Sequence, residues 1–154
     1  MGEDWKALLV DGDTGIRRLL ASVRRVAVLG IRSEARADRP AHYVPAALAR
    51  VGVDIVPVPV YEAEVTTILG RPVFRRIADV PGPIDLVDVF RRPADLPAHL
   101  PDLLAARPAA VWLQLGIRND AAAEALARAG IAVVQDRCLM VEWGRLGPST
   151  PRQA

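Results

Sequence analysis

Residues 26–33 carry the backbone and side chains best suited to binding a charged ligand. Val26–Leu29 is an unbroken apolar run, short enough to form a strand buried on both faces. Gly30 ends the run, and Arg32 and Ser33 follow it closely. A glycine lets backbone approach a phosphate, and the N-terminus of a following helix supplies N–H donors and a positive dipole end. The stretch predicts a phosphate-binding turn, although a lone glycine is equally consistent with an ordinary strand–helix turn.

A second group of candidate ligand-binding residues follows the strand predicted over Ile84–Phe90, where Arg91 and Arg92 stand together. Arginine grips phosphate with two parallel hydrogen bonds, so arginines at both turns would suit a ligand rich in phosphate. The alternative for each arginine is a solvated charge or an ion pair. The arginines proposed are Arg32, Arg91 and Arg92, with Arg36 or Arg39 as further candidates, and the competing aspartates are Asp85, Asp88 and Asp95.

Residue types that could carry out catalysis are few and form no known pattern. The sequence has no nucleophile elbow, metal-ligand spacing or P-loop, so we predict neither a catalytic residue nor a metal site. His42 and His99 fall on predicted helices, and we interpret both as surface or packing residues. Cys138 is the one candidate nucleophile, but a packing role at a strand–helix junction is the favoured interpretation.

The elements that must position these residues alternate between strands and helices. Helical spacing covers Asp4–Val23, with a break near Gly12, and Asn119 is a good N-cap for an alanine-rich helix. Pro57 and Pro59 predict that the end of the second strand, or the loop that follows it, lies outside regular ladder pairing. The predicted strands are Val26–Leu29, Val53–Val58, Ile84–Phe90, Ala109–Leu115 and Ile131–Val134, with a short edge strand at Pro72–Phe74. The predicted helices after the first strand are one ending at Gly52, then Pro97–Ala106, Asp120–Ala129 and a short one ending at Leu146.

This alternation predicts an α/β fold, a doubly wound and mainly parallel sheet with helices on both faces. In the usual doubly wound order the first strand lies beside Ile84–Phe90. Their carboxyl ends then flank the crevice in which such folds bind ligands. We therefore expect the turn at Gly30 to face Phe90 and the two arginines that follow it.

The chain is predicted to form a single domain, because it contains neither an internal repeat nor a linker. Residues 1–23 read as an accessory helical segment, residues 24–146 as the α/β domain, and residues 147–154 as a flexible tail rich in proline and small polar residues. The length of 154 residues suits one hydrophobic core.

Composition narrows the function classes. A net charge of +2 is too small to argue for nucleic acid, and no apolar run approaches the roughly 20 residues that cross a bilayer. The N-terminal residues include Glu3, Asp4 and Lys6 and do not read as a signal peptide. A single cysteine excludes an intramolecular disulfide. We predict a cytoplasmic protein that binds neither nucleic acid nor membrane.

Four stretches together resemble the small stand-alone CoA-binding proteins, which are similar to the CoA-binding domain of the succinyl-CoA synthetase alpha subunit. The resemblance covers about residues 24–146 and implies a Rossmann-like domain with coenzyme A as its ligand. The stretches are Val26 to Gly30 with Ser33, Ile84 to Arg92, Val111 to Gly116, and Asp136 to Cys138.

The resemblance also implies where coenzyme A would lie. It implies that the diphosphate contacts Gly30, Ile31, Arg32 and Ser33, and that Pro57, Val58, Phe90, Arg91 and Arg92 line the nucleotide. In the synthetase a lysine follows the second strand and helps to hold CoA; this chain has no lysine there, so an arginine must substitute or the contact is absent. The synthetase's phosphorylated histidine belongs to a second domain, which we expect to be absent here.

Three functional hypotheses remain open. The first is a protein that binds CoA or acyl-CoA without catalysis of its own. The second is an NAD(P)- or nucleotide-dependent enzyme; against it, the fingerprint glycines are missing, and Asp54 lies at the wrong end of the second strand to bind a ribose, although Glu62 lies just beyond. The third is an accessory subunit of an acyl-CoA ligase, with catalysis on a partner chain. Homo-oligomerisation is left open.

Overall fold

The computed structural model describes residues 4–148, and its centre is a five-stranded sheet in which every neighbouring pair is parallel. In chain order the strands are β1 (Arg25–Leu29), β2 (Asp54–Val58), β3 (Thr67–Ile68), β4 (Arg71–Pro72), β5 (Leu86–Val89), β6 (Ala110–Leu113) and β7 (Ala132–Val134). The strand order in the central sheet is β2-β1-β5-β6-β7.

The predicted fold class and the central strand pairing are confirmed. β1 pairs with β5 in parallel, with Leu29 opposite Val89 at the carboxyl end. After β1 the chain forms β2 on one side, then crosses back to place β5 on the other side. The carboxyl ends of β1 and β5 therefore flank the point where the strand order reverses, which is where open α/β sheets bind ligands.

Helices cover both faces of the sheet because each strand is apolar on both sides. The α-helices are α1 (Asp13–Ala21), α2 (Pro40–Arg50), α3 (Leu96–Ala106), α4 (Asp120–Arg128) and α5 (Leu139–Leu146); 3-10 helices cover Asp4–Leu8, Glu34–Arg36, Ile77–Asp79 and Pro93–Asp95. Val26 and Val28 belong to one core, with helices α1, α2 and α5. Ala27 and Leu29 belong to a second core on the opposite face, with α3 and α4.

The N-terminal segment differs from the predicted helix. Asp4–Leu8 is a single 3-10 helix, and α1 begins only at Asp13. Between them the chain is extended beside β7, where the Val10 N–H donates to the Val133 carbonyl at 2.8 Å. This isolated bridge covers part of the exposed edge of β7, and helical spacing along the sequence could not reveal it.

The prediction that proline lies outside ladder pairing is wrong for Pro57 at the end of β2, while Pro59 does lie in the loop that follows the strand. Pro57 pairs with Val28 inside the ladder. Its carbonyl accepts from the Phe74 N–H at 2.9 Å, so its backbone polar groups face away from β1 and the missing N–H costs no ladder bond. In place of the predicted edge strand at Pro72–Phe74, the chain forms β4 at Arg71–Pro72, the second arm of a β3–β4 hairpin that turns at Leu69 and Gly70, and Val73 and Phe74 lie outside the strand.

No helix within residues 4–148 is both long and apolar enough to cross a bilayer. Gly147 and Pro148 follow α5, and the remainder of the predicted tail, residues 149–154, lies outside the described residues.

Candidate functional site

A cleft of about 500 Å³ opens at the carboxyl ends of β1, β5 and β6. Its lining combines cationic and apolar groups, and the N-terminus of α2 forms part of one wall. The charged and polar lining residues are Arg32, Arg39, Arg91, Arg92 and Gln114. The apolar lining includes Tyr43, Val44, Tyr61, Phe90, Leu115, Ile117 and Cys138.

Gly30 allows the ends of β1 and β5 to approach one another. Its φ is +89°, and a Cβ on this residue would lie 2.5 Å from the Phe90 carbonyl oxygen. The Gly30 N–H donates to the Val58 carbonyl, and the Phe90 N–H donates to the Leu29 carbonyl, each at 2.9 Å. Packing of the strand ends therefore requires glycine here, before any ligand is considered.

The turn after Gly30 is fastened to the first turn of α2. The Arg32 N–H donates to the Ala41 carbonyl at 3.1 Å, and buried His42 donates from Nδ1 to the Arg32 carbonyl at 2.9 Å. His42 is thus a packing residue that also positions Arg32. Because α2 begins at Pro40 and its first residues line the cleft, the positive end of the helix dipole faces the cavity.

Arg91 is held by three different partners. Its Nε donates to His99 Nε2 at 3.2 Å, and its Nη1 donates to the Tyr61 hydroxyl at 3.1 Å. Its Nη2 lies 3.4 Å from an Asp95 carboxylate oxygen. Burial and the neighbouring Arg91 charge lower the pKa of His99, in keeping with a neutral ring that accepts from the guanidinium. His99 therefore orients a cleft arginine.

Arg92 and Arg39 are both exposed, but they differ in their partners. Arg92 donates from Nε to Asp95 at 2.9 Å, and this bond holds the pKa of the Asp95 carboxyl below its ordinary value. The ion pair considered from the sequence is thus present for Arg92 and for Arg91. The Arg39 guanidinium makes no hydrogen bond or ion pair with any residue in the described part of the chain.

Arg32 is engaged by the loop after β2. Its Nε donates to the Glu62 carboxylate at 3.2 Å, and its guanidinium lies 5.2 Å from the centre of the Tyr61 ring. Ser33 donates to the same carboxylate through its N–H, at 3.0 Å, and through its hydroxyl. Glu62 therefore lies against the predicted phosphate-binding turn.

Six of the ten residues predicted to contact a cofactor line the cleft. They are Gly30, Arg32, Arg39, Phe90, Arg91 and Arg92. Four others, Ile31, Ser33, Pro57 and Val58, are buried beside it and are absent from its lining, so their contact with a ligand stays a prediction. Arg36, the alternative to Arg39, is exposed on a 3-10 helix outside the cleft.

Sequence reasoning missed several lining residues. Leu115 and Gly116 follow β6, and the parallel neighbour of β5 had to end at the same edge, so topology alone could have included them. Tyr43 lies in the first turn of α2, where helix spacing gave a signal. Tyr61 reaches the cleft from an irregular loop, for which the sequence offers no pattern.

Cys138 lies at the mouth of the cleft as the N-cap residue of α5 and is partly buried. The neighbouring Gln114 side chain accepts from the Leu139 N–H at 2.9 Å, which fixes the start of that helix against the end of β6. The favoured packing role of Cys138 stays a prediction. No group of three or more histidine, cysteine or acidic residues within residues 4–148 is arranged to hold a metal ion.

Asp85 and Asp88 do not pair with the cleft arginines. Asp85 accepts from the Arg24 and Arg25 N–H groups, each at 2.9 Å, and so ties the start of β1 to the start of β5. Asp88 is fully buried in β5, and neither carboxyl oxygen has a hydrogen-bond partner among the described residues. The ion-pair alternative is therefore wrong for these two aspartates.

The chain is similar to a family model, to a protein known from its sequence and to several solved structures. The family model of the CoA binding domain matches residues 24–144. The uncharacterized protein YneT of Bacillus subtilis is 32% identical over 126 residues, which span 82% of this chain and 90% of YneT. A solved structure from Thermus thermophilus, cell-free ID.343, has 44% identity and a TM-score of 0.80 and covers 88% of this chain and 99% of its own. A hypothetical protein from Pyrococcus horikoshii OT3 has 28% identity and a TM-score of 0.78 over 88% and 92% of the two chains.

Proposed function

The chain belongs to the CoA binding domain family, and from that premise we propose that it binds coenzyme A, free or as an acyl thioester, at the carboxyl edge of its sheet. The observation that carries the proposal is the convergence of Arg32, Arg39, Arg91 and Arg92 on one cleft. Coenzyme A carries a diphosphate and a 3′-phosphate, and arginine forms charge-assisted hydrogen bonds to each.

The two parts of the cleft suit the two parts of this ligand. The arginines and the N-terminus of α2 favour the phosphates. Val44, Leu115 and Ile117 supply apolar surface for the pantetheine arm or for a short acyl group. Leu115 is 69% exposed, and covering it with a ligand would contribute to binding through the hydrophobic effect.

We propose binding without catalysis, because the charged groups lining the cleft are arginines, which keep their protons and cannot act as general acids or bases, and because a packing role is the favoured interpretation of Cys138 at its mouth. An accessory role beside an acyl-CoA ligase remains the third hypothesis. Co-purification with a larger partner chain would favour it, and a homo-oligomer or an isolated monomer would not. The cytoplasmic location also stays a prediction.

An NAD-dependent enzyme is the less favoured hypothesis. The turn after β1 has a single glycine, Gly30, where the dinucleotide fingerprint has three. The acid nearest the end of β2 is Glu62, and its carboxylate accepts hydrogen bonds from Ser33 and Arg32 at the predicted phosphate-binding turn.

Titration calorimetry with CoA, dephospho-CoA and NAD tests the proposal. We expect affinity to fall in that order, because dephospho-CoA lacks the 3′-phosphate and NAD lacks both that phosphate and the pantetheine arm. Loss of one charge-assisted hydrogen bond corresponds to about tenfold or more in Kd. NAD binding as tight as that of CoA would overturn the assignment. Mass spectrometry of ligand released from the purified protein gives an independent check.

A further inference from the structure

The loop after β2 places a carboxylate where an anionic ligand would be expected. Glu62 accepts from Arg32 Nε at 3.2 Å, from the Ser33 N–H at 3.0 Å and from the Ser33 hydroxyl. The Glu62 side chain is 14% exposed and that of Arg32 is 22% exposed. A carboxylate held by a backbone N–H, a hydroxyl and a guanidinium has the same set of donors that proteins use for phosphate oxygens.

The charge state of Glu62 fits this arrangement. Burial alone would raise the pKa of the carboxyl, but the hydrogen bonds from Ser33 and Arg32 outweigh it and hold the pKa below its ordinary value. The group is therefore an anion at neutral pH.

The loop backbone is held in the conformation that this contact needs. Glu62 has a φ of +60°, in the left-handed region that non-glycine residues seldom adopt. Its carbonyl accepts from the Val65 N–H at 3.0 Å. The Arg75 guanidinium donates to the carbonyls of Glu62, at 3.3 Å, and of Ala63, at 2.9 Å.

Tyr61 contacts the guanidinium groups of Arg32 and Arg91 next to this site. Its ring centre lies 5.2 Å from the Arg32 guanidinium and 5.3 Å from that of Arg91, and its hydroxyl accepts from Arg91. Tyr61 is nevertheless 50% exposed and lines the cleft. The loop thus satisfies Arg32, Ser33 and Arg91 by internal contacts.

We propose that Glu62 is a displaceable internal anion, whose carboxylate occupies the phosphate-binding donors of Ser33 and Arg32 until a ligand diphosphate replaces it. The inference rests on the proposed function and adds a specificity device to it. A neutral ligand cannot replace the carboxylate, whereas a diphosphate offers these donors more charge than Glu62 does. Glu62 therefore weakens all binding at this turn but weakens that of poorly charged ligands most.

The test compares Glu62→Gln with Glu64→Gln by titration calorimetry, using CoA and inorganic diphosphate as probes. Glu64 is an exposed carboxylate in the same loop, so its variant controls for loss of one nearby negative charge. We expect Glu62→Gln to tighten binding of both probes by about fivefold or more, a modest fraction of one charge-assisted hydrogen bond. Glu64→Gln should change it by about twofold at most.

A second background separates displacement from simple charge removal. In Ser33→Ala the turn has lost its hydroxyl donor, so adding Glu62→Gln should give a smaller gain there than in the wild-type chain. If Glu62→Gln in the wild-type chain increased the affinity for the probes only as much as Glu64→Gln does, the proposal would be overturned. Weaker CoA binding by Glu62→Gln would also overturn it, because Glu62 would then contact the ligand directly, for example at the ribose hydroxyls.

The wild-type chain provides a readout that needs no variant to fold. Saturating inorganic diphosphate should shift the ¹³C resonance of the Glu62 carboxyl and the Ser33 amide resonance; unchanged signals at saturation would contradict displacement. If diphosphate binds and produces these shifts while CoA does not bind, the proposed function fails and the role of Glu62 stands. If neither probe binds the wild-type chain or Glu62→Gln, both proposals fail.

Discussion

Arg39 differs from the other arginines of the cleft because its guanidinium has no internal partner within residues 4–148. Arg32, Arg91 and Arg92 each contact a carboxylate. A ligand phosphate that contacts one of these three competes with an existing ion pair, which reduces the net gain. Arg39 lies at the N-cap of α2, so a phosphate beside it also meets the positive end of the helix.

We expect Arg39→Ala to weaken CoA binding by more than about tenfold, the scale of one charge-assisted hydrogen bond. Arg36→Ala is the matched control, because this substitution removes the same charge from the same loop at a residue that lies outside the cleft. Titration calorimetry on both variants measures the difference. Equal affinities of the two variants would show that only the general charge of this loop matters.

The turn between β1 and α2 depends on the missing side chain of Gly30. Gly30→Ala places a Cβ against the Phe90 carbonyl and forces an L-residue to a φ of +89°. Gly130→Ala, after α4, carries the same backbone penalty at a φ of +88°, with nothing within 4 Å of the new Cβ.

Urea unfolding of the two glycine variants should separate the contact from the backbone penalty. We expect the free energy of unfolding to fall by about 1 kcal/mol for Gly130→Ala. For Gly30→Ala we expect a loss of about 2–4 kcal/mol, because overpacking adds to the same penalty. Similar losses would mean that the ends of β1 and β5 move apart at little cost.

The elements nearest the cleft were the most predictable from the sequence. Apolar runs identified β1 and β5, and the rule for doubly wound sheets placed their ends together. Because of that pairing, the sequence alone predicted that Gly30, Phe90 and the arginines after each strand lie in one site. Strand limits shifted by one or two residues, which is the usual uncertainty at ladder ends.

The loop carrying Tyr61 and Glu62 could not be predicted in the same way. Its contacts join residues far apart in sequence, such as Glu62 and Ser33, which are separated by 29 positions. The loop has no apolar periodicity that would fix its position against other elements. Nothing in the local sequence therefore indicates which turn the carboxylate of this loop contacts. The extended pairing of Val10 with Val133 was missed for the same reason.

The buried Asp88 makes the stability of the whole domain depend on pH. Asp88 lies in the middle of the sheet, opposite Val28 on β1 and Trp112 on β6, and it is completely buried without a hydrogen-bond partner among the described residues. Burial raises the pKa of its carboxyl well above the ordinary value. The carboxyl is thus retained in the fold as the neutral acid over a range of pH in which the unfolded chain holds it ionised.

The sign of the resulting pH dependence is opposite to that of an ion-paired carboxylate. Above about pH 4 the unfolded chain releases the Asp88 proton while the folded chain keeps it, so rising pH lowers the free energy of unfolding through this group.

We expect Asp88→Asn, which cannot ionise, to gain stability relative to wild type as pH rises from about 4, with a slope of up to about 1.4 kcal/mol per pH unit until the folded chain also ionises. Urea unfolding at several pH values measures this difference, and the exposed Asp38→Asn is its control. The unpaired amide shifts the whole Asp88→Asn curve by a constant, so the slope is the deciding quantity. A difference between Asp88→Asn and wild type that stays constant with pH would mean that Asp88 is ionised in the folded protein and holds a charge in the middle of the sheet.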